Sequence, residues 1–228
     1  MDYLLNSKET NSFIKSKMHI SGELNFLKNI LRKNMNVIDV GGYYGLISLH
    51  IAQAILPNGK IFIFEPFPVF YEGLVKNFNL NNLNNVNFMN AALSNKNEYC
   101  EIAIDGDATT LIFDKNEVNK RVTSVIKTIT LDTFLEINQL PNIDLINMDC
   151  EGSELLVLQG ATKLLRERRI PIFCEIHHHL LVKQQNSVSD LVSFLVDLGY
   201  DVKSVNLETR SLSLDPNDFK NCDYIYAT

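Results

Sequence analysis

A short apolar strand running straight into a pair of glycines sets the fold of this chain. Val37-Ile38-Asp39-Val40 is β-branched and of strand length, and Gly41-Gly42 follows at once. Leu46 to Ile55 then carries apolar residues at helical spacing and stops at Pro57-Asn58-Gly59. The alternation repeats. Lys60 to Glu65 reads as a second strand stopped by Pro66, Phe70 to Leu80 as a second helix and Val86 to Leu93 as a third strand. Strands that are apolar throughout need cover on both faces, which is the condition of a parallel sheet wrapped in helices. The expected class is α/β, with a doubly wound, mostly parallel sheet.

The rhythm breaks after Leu93. Tyr99 to Ile104 and Ser124 to Ile129 read as strands around a polar loop with Asp105-Gly106-Asp107, a β insertion over residues 97–130 at the domain edge. Asp132 can cap a short helix from Thr133 to Ile137. The alternation then resumes with a strand over Ile143 to Asp149, a helix capped by Ser153 running through Leu165, a strand over Ile170 to Ile176 and a helix from Val188 to Leu198. Tyr200 to Val205 and Cys222 to Ala227 can close the sheet as an antiparallel pair. Residues 1–33 form an N-terminal helical segment with Leu24, Leu27, Ile30 and Leu31 as its apolar stripe. The reading is one domain over residues 1–228.

Charge and cysteine usage narrow the classes of function. A net charge of -6 argues against non-specific nucleic-acid binding. Arg166-Glu167-Arg168-Arg169 is the solvated end of a helix, where cations complement the dipole. No apolar run is long enough for a membrane span, and the opening residues lack a basic-then-apolar signal pattern. Cys100, Cys150, Cys174 and Cys222 form no C-x-x-C pair, so neither a zinc knuckle nor a thioredoxin-type site is supported, and a reducing cytoplasm is the expected location.

The turn from first strand to first helix, Asp39-Val40-Gly41-Gly42-Tyr43-Tyr44-Gly45, lies where doubly wound sheets bind ligands. Glu65 ends the second strand roughly two dozen positions later, where an acidic residue accepts the ribose hydroxyls of a nucleoside. A nicotinamide dinucleotide would need G-x-G-x-x-G, but the glycines fall at 41, 42 and 45, and Tyr43 and Tyr44 crowd the place of a phosphate. Asp39 would repel a pyrophosphate and attract an ammonium. These charges favour S-adenosylmethionine, a nucleoside with a sulfonium, an ammonium and no phosphate.

An ordered set of motifs resembles the FkbM-type methyltransferases, a class I family dependent on S-adenosylmethionine. It comprises Val37-Ile38-Asp39-Val40-Gly41 with Gly45; Phe64-Glu65-Pro66-Phe67-Pro68; Asn77, Leu80 and Asn81; Ala92-Leu93-Ser94; Leu131-Asp132; Ile143 to Glu154 with Val157-Leu158-Gln159-Gly160-Ala161; and Glu175. The chain departs from the family at Gly42-Tyr43, where Ala-Asn is usual, and at Asn147, where lysine is common. The resemblance implies methyl transfer to an oxygen, on a sugar, glycolipid or natural product. It implies that Asp39, Gly41 and Gly45 hold the methionine part, Glu65 the ribose, and Asn90 and Ala91 the adenine edge, with Gly42, Tyr43, Pro66 and Asp149 completing the cofactor-facing set.

A hydroxyl acceptor benefits from a general base, expected at the ends of the fourth and fifth strands. Asp149 and Glu151 leave the fourth, and Glu175 and His177 repeat that spacing at the fifth. The expected base is His177 or Asp149, with Glu175 orienting a partner and Glu151 and His178 facing the acceptor. Asp149, Glu151, Glu175 and His177 could also make an oxygen-rich Mg²⁺ site, although the expectation is that no metal is held. Glu154 reads as a helix-dipole residue, and Phe62, Phe64, Phe67 and Phe70 read as core. The acceptor would be a small-molecule or glycan hydroxyl. Its pocket is expected from the N-terminal helices, the 97–130 insertion and the 177–187 loop. A nicotinamide-dependent oxidoreductase and a non-catalytic binding protein are the alternatives.

Overall fold

The computed structural model describes residues 21–105, 108–112, 123–140, 142–209, 211–215 and 217–228. The opening residues and the expected turn at Gly106-Asp107 lie outside these. Helix α1 covers residues 21–30. There follow β1 (Asn36–Val40), α2 (Leu46–Ala54), β2 (Lys60–Phe64), α3 (Pro68–Leu80), β3 (Val86–Met89) and β4 (Ala92–Leu93). Next come β5 (Tyr99–Asp105), β6 (Ala108–Ile112), β7 (Thr123–Ile129), α4 (Leu131–Asn138), β8 (Leu145–Met148), α5 (Glu154–Gln159) and α6 (Thr162–Arg168). The last are β9 (Ile172–Glu175), α7 (His178–Lys183), α8 (Val188–Asp197), β10 (Val202–Asn206), β11 (Ser211–Ser213) and β12 (Tyr224–Ala227).

Eight of the described strands form the main sheet in the order β11-β10-β12-β9-β8-β1-β2-β3. β1 pairs in parallel with both β2 and β8. The chain builds outward from β1 in one direction, then returns to build outward from β8 in the other. The strand order therefore reverses between β1 and β8, and a crevice opens beyond their carboxyl ends. β12 slots antiparallel between β9 and β10, as expected of the terminal pair.

Alternation along the strands supplies two cores. Val37, Ile61, Ile63, Leu145 and Phe173 face one side with α1, α2 and α3, while Ile38, Val40, Phe62, Phe64 and Ile146 face the other with α4, α5, α6 and α8. Leu27 of α1 and Leu31 just beyond its end face inward, and Phe26 stacks on Phe173 with centroids 4.6 Å apart. A second sheet, in the order β4-β7-β5-β6, holds the strands read as an insertion. A third core joins it to the glycine turn: Tyr44, Phe67 and Phe70 pack on Ala92, Ile102 and Ile126.

Several boundaries differ from the sequence reading. The third strand breaks after Met89, and Ala92-Leu93 leaves the main sheet to pair with β7. Thr130, not Asp132, caps α4 by accepting from the Thr133 N–H. The Asp132 carboxylate crosses over to α6 and accepts the Lys163 and Leu164 N–H groups, each at 2.9 Å. The helix expected from Ser153 to Leu165 is split at Gly160-Ala161, where the chain runs so close to Ser94 that a Cβ at Gly160 would lie 2.0 Å from its carbonyl oxygen. Ser153 makes no side-chain cap bond. The 177–187 segment, read as a loop, contains α7. Among the described residues no helix is long and apolar enough to cross a membrane.

Candidate active site

The β1–β2 end of the crevice is built from backbone. Gly41 has φ +89°, and a Cβ there would stand 1.7 Å from the Asp149 carbonyl oxygen. Only glycine lets the β1 turn approach the end of β8 so closely. A Cβ at Gly42 would meet Ile63 Cγ2 at 2.4 Å, which accounts for glycine at this departure from the family pattern. The Gly41 and Gly42 N–H groups donate to the Phe64 carbonyl at 2.9 and 3.1 Å. Tyr43, with φ +48°, packs edge-on against Tyr44 and Phe70.

Glu65 faces this turn. Its Oε2 accepts the Tyr43 N–H and its Oε1 the Phe67 N–H, both at 2.8 Å, and the residue is 3% exposed. Burial outweighs those two donors and pushes the carboxyl up to about 7. Asn90 donates from Nδ2 to the Glu65 and Pro66 carbonyls at 2.9 and 3.1 Å, and Ala91 follows it beside the same turn. The N–H groups that a pyrophosphate would need are thus bonded to a carbonyl and a carboxylate, which favours a ligand without phosphate.

Asp39 is held within the fold. It is 2% exposed, Oδ2 accepts from Ser48 Oγ at 2.5 Å, and Oδ1 accepts from Asn147 Nδ2 at 2.8 Å. Burial raises its pKa despite these bonds. These bonds tie β1 to α2 and β8 beneath the glycine turn. Asn147 is the neutral donor that this buried carboxyl requires.

The β8–β9 end is built from side chains. β8 ends at Met148, so period-2 geometry does not set Glu151 beside Asp149. A left-handed turn does so instead, with φ +50° at Glu151 and +90° at Gly152. His177 Nε2 stands 3.6 Å from Asp149 Oδ1 and 3.4 Å from Glu151 Oε2. Its Nδ1 bonds Glu154 Oε1 at 2.9 Å, and the same oxygen accepts the Gly152 N–H at 2.9 Å. Glu154 is fully buried, so it orients the ring rather than serving only the helix dipole.

The neighbours of His177 bear on the choice between it and Asp149 as general base. Burial alone would lower its pKa, but the Glu154 bond and the charges of Asp149 and Glu151 override that and lift it to about 10. The ring holds its proton at neutral pH. Asp149 stands beside it. Its side chain keeps 44% exposure at the crevice floor, and the surrounding protein, opposed by His177 and reinforced by Glu151, pushes it up to about 7. Glu151 is raised by burial, with His177 opposing.

Two other expectations separate from this cluster. Glu175 accepts the Tyr224 hydroxyl at 2.9 Å on Oε2, whereas the carboxylate bonded to His177 is Glu154. His178 begins α7 and donates from Nε2 to the Cys222 carbonyl at 2.7 Å, which fastens that helix to the chain before β12. Glu23 of α1 escaped the sequence reading. It is 7% exposed, and burial raises its pKa, with the nearby charges of Asp149, Glu175 and Asp39 adding to the shift. Its only signal was a carboxylate one turn before Leu27 on an otherwise apolar stripe.

Comparison with known proteins agrees with this architecture. The family model of the methyltransferase FkbM domain matches residues 39–202. The methyltransferase sdnD of Sordaria araneosa is 28% identical over 161 residues, covering 57% of this chain and 61% of that protein. The chain thus spans under two thirds of this curated relative. The crystal structure of methyltransferase FkbM from Methylobacillus flagellatus superposes with a TM-score of 0.58 at 15% identity, over 91% of this chain and 47% of that one. Aeropyrum pernix fibrillarin, solved with natively bound S-adenosyl-L-methionine, gives 0.51 at 14% identity, over 90% of this chain and 73% of that one. The sheet order, the glycine turn against β8 and the acidic end of β2 are those of a class I methyltransferase, and the chain belongs to the FkbM methyltransferase family.

Proposed function

We propose that this protein is an S-adenosyl-L-methionine-dependent O-methyltransferase whose acceptor is a hydroxyl of a small molecule or glycan. The observation that carries the reading is the position of Asp149. Its carbonyl abuts Gly41, and its half-open carboxyl, pushed up to about 7, lines the same crevice. When bound, the cofactor supplies a methyl group activated as a sulfonium. Glu65 would accept the ribose hydroxyls, and Asn90 and Ala91 would border the adenine. Gly41, Gly42, Tyr43 and Gly45 would shape the backbone floor. The donor set fits: an acidic strand end, amides already bonded, and a glycine that leaves no room for a side chain.

On the acceptor side the chain must hold a hydroxyl and take its proton. Asp149 takes that proton because its proton affinity lies near neutral pH. Imidazolium His177 fixes the Asp149 and Glu151 carboxylates, and Glu154 fixes His177. Glu151, 27% exposed, faces the acceptor. The test is methyl transfer to a panel of hydroxyl acceptors by wild type and Asp149→Asn, with S-adenosylhomocysteine binding measured on both. Turnover falls by about 10²- to 10⁴-fold in the variant while binding persists. Full turnover in Asp149→Asn removes the assignment of the base.

A further inference from the structure

We propose that Asp149, Glu151 and His177 form a binding site for an octahedral divalent cation of the Mg²⁺/Mn²⁺ class at the acceptor end of the crevice. One oxygen from each carboxylate and Nε2 of the histidine lie within 4.8 Å of one another. The separations from Nε2, 3.4 and 3.6 Å, are too long for hydrogen bonds. They approach the spacing of atoms sharing a third partner: neighbouring ligands of an octahedral ion with bonds near 2.1 Å stand about 3 Å apart. Small side-chain movements close the difference.

A second observation is independent of this trio. Glu154, fully buried, has one oxygen on His177 Nδ1 and the other, Oε2, without a partner. Without an ion the ring carries a proton on both nitrogens; a bound cation would displace the Nε2 proton to solvent while Glu154 keeps the Nδ1–H, the arrangement that accompanies metal-bound histidines. Glu23, 7% exposed, is a further buried carboxyl acting electrostatically with Asp149 and Glu175. Three carboxyl groups, Asp149, Glu151 and Glu154, therefore gather around one imidazole, and a doubly charged ion offsets the excess. Glu175, expected in such a site, is engaged by Tyr224 and stands outside the trio. Three protein ligands leave positions for water or, resting on the O-methylation reading above, for the acceptor hydroxyl, whose proton the ion makes easier to remove.

The probe is Mn²⁺ added to the full chain freed of metal, read by calorimetry and by electron paramagnetic resonance, with and without S-adenosylhomocysteine. We expect one bound ion with nitrogen coupling from His177, lost in His177→Ala. Affinity should fall about 10- to 100-fold in Glu151→Gln and Glu154→Gln, whereas Asp201→Asn, remote from the crevice, should bind as wild type does. S-adenosylhomocysteine binding reports folding in every variant, so a variant that fails to fold is replaced in the comparison by the others. Absence of Mn²⁺ binding, or an affinity unchanged in Glu151→Gln and Glu154→Gln, overturns the site. Loss of S-adenosylhomocysteine binding by wild type while Mn²⁺ still binds would instead count against the methyltransferase reading and leave the cation site standing.

Discussion

The two ends of the crevice are held together in opposite ways. At the β1–β2 end, acidic groups are buried and bonded: Asp39 to Ser48 and Asn147, Glu65 to the Tyr43 and Phe67 amides. At the β8–β9 end, Asp149 stays open to solvent, Glu154 keeps an unpartnered oxygen, and the contacts of Nε2 are long. Satisfied groups give a rigid shape that can be preorganised for a ligand. Groups left short of partners hold free energy that a substrate or ion can recover. On the reading proposed above, one end holds the cofactor and the other reacts.

The largest break in this contrast is Asp149→Asn, with the 10²- to 10⁴-fold loss of turnover and retained S-adenosylhomocysteine affinity given above. Gly41→Ala attacks the join between the two ends. Its Cβ would collide with the Asp149 carbonyl at φ +89°, and we expect a stability loss of about 3 kcal/mol or more, read by urea unfolding, together with loss of cofactor binding. Glu65→Ala strikes the holding end alone. Affinity for S-adenosylhomocysteine should fall about 10- to 100-fold by calorimetry, the effect of losing hydrogen bonds to a charged acceptor. Asn147→Leu leaves Asp39 Oδ1 buried without its donor and should cost about 1–3 kcal/mol of stability.

The smallest effect is one of pH. Glu65 has a folded-state pKa raised by burial from 4.5 to about 7. The folded protein therefore binds this proton more tightly than the unfolded chain. The stability it contributes is complete below about 4.5 and is lost as pH rises through about 7. Thermal melts across that window should show a decline that is shallower in Glu65→Gln. Cofactor affinity should run the other way in wild type and rise toward pH 7, since the ionised carboxylate is the better acceptor of ribose hydroxyls.

The alternation of apolar strands and helices made the main sheet legible, because burial on both faces is written into consecutive residues such as Val37 to Val40 and Lys60 to Phe64. The holding end was legible for a similar reason, since a glycine turn and a strand-end acid are local signals. The reacting end was not. Pairing Asp149 with Glu151 depends on a left-handed turn at Glu151-Gly152 that period-2 reasoning cannot supply. The role of Glu154 depends on α5 turning its carboxyl toward β9, and that of Glu23 on how α1 packs over the sheet. These are contacts between elements distant in the chain, and no single segment carries them. The same holds for Asp132, which has the composition of a cap but serves another helix.

The most direct test of the division between the two ends is a crystal structure of the protein with S-adenosylhomocysteine. The ribose hydroxyls should lie on the Glu65 carboxylate, with the sulfur turned toward Asp149. A nucleoside bound away from Glu65, or a sulfur facing away from the β8–β9 end, would contradict the account.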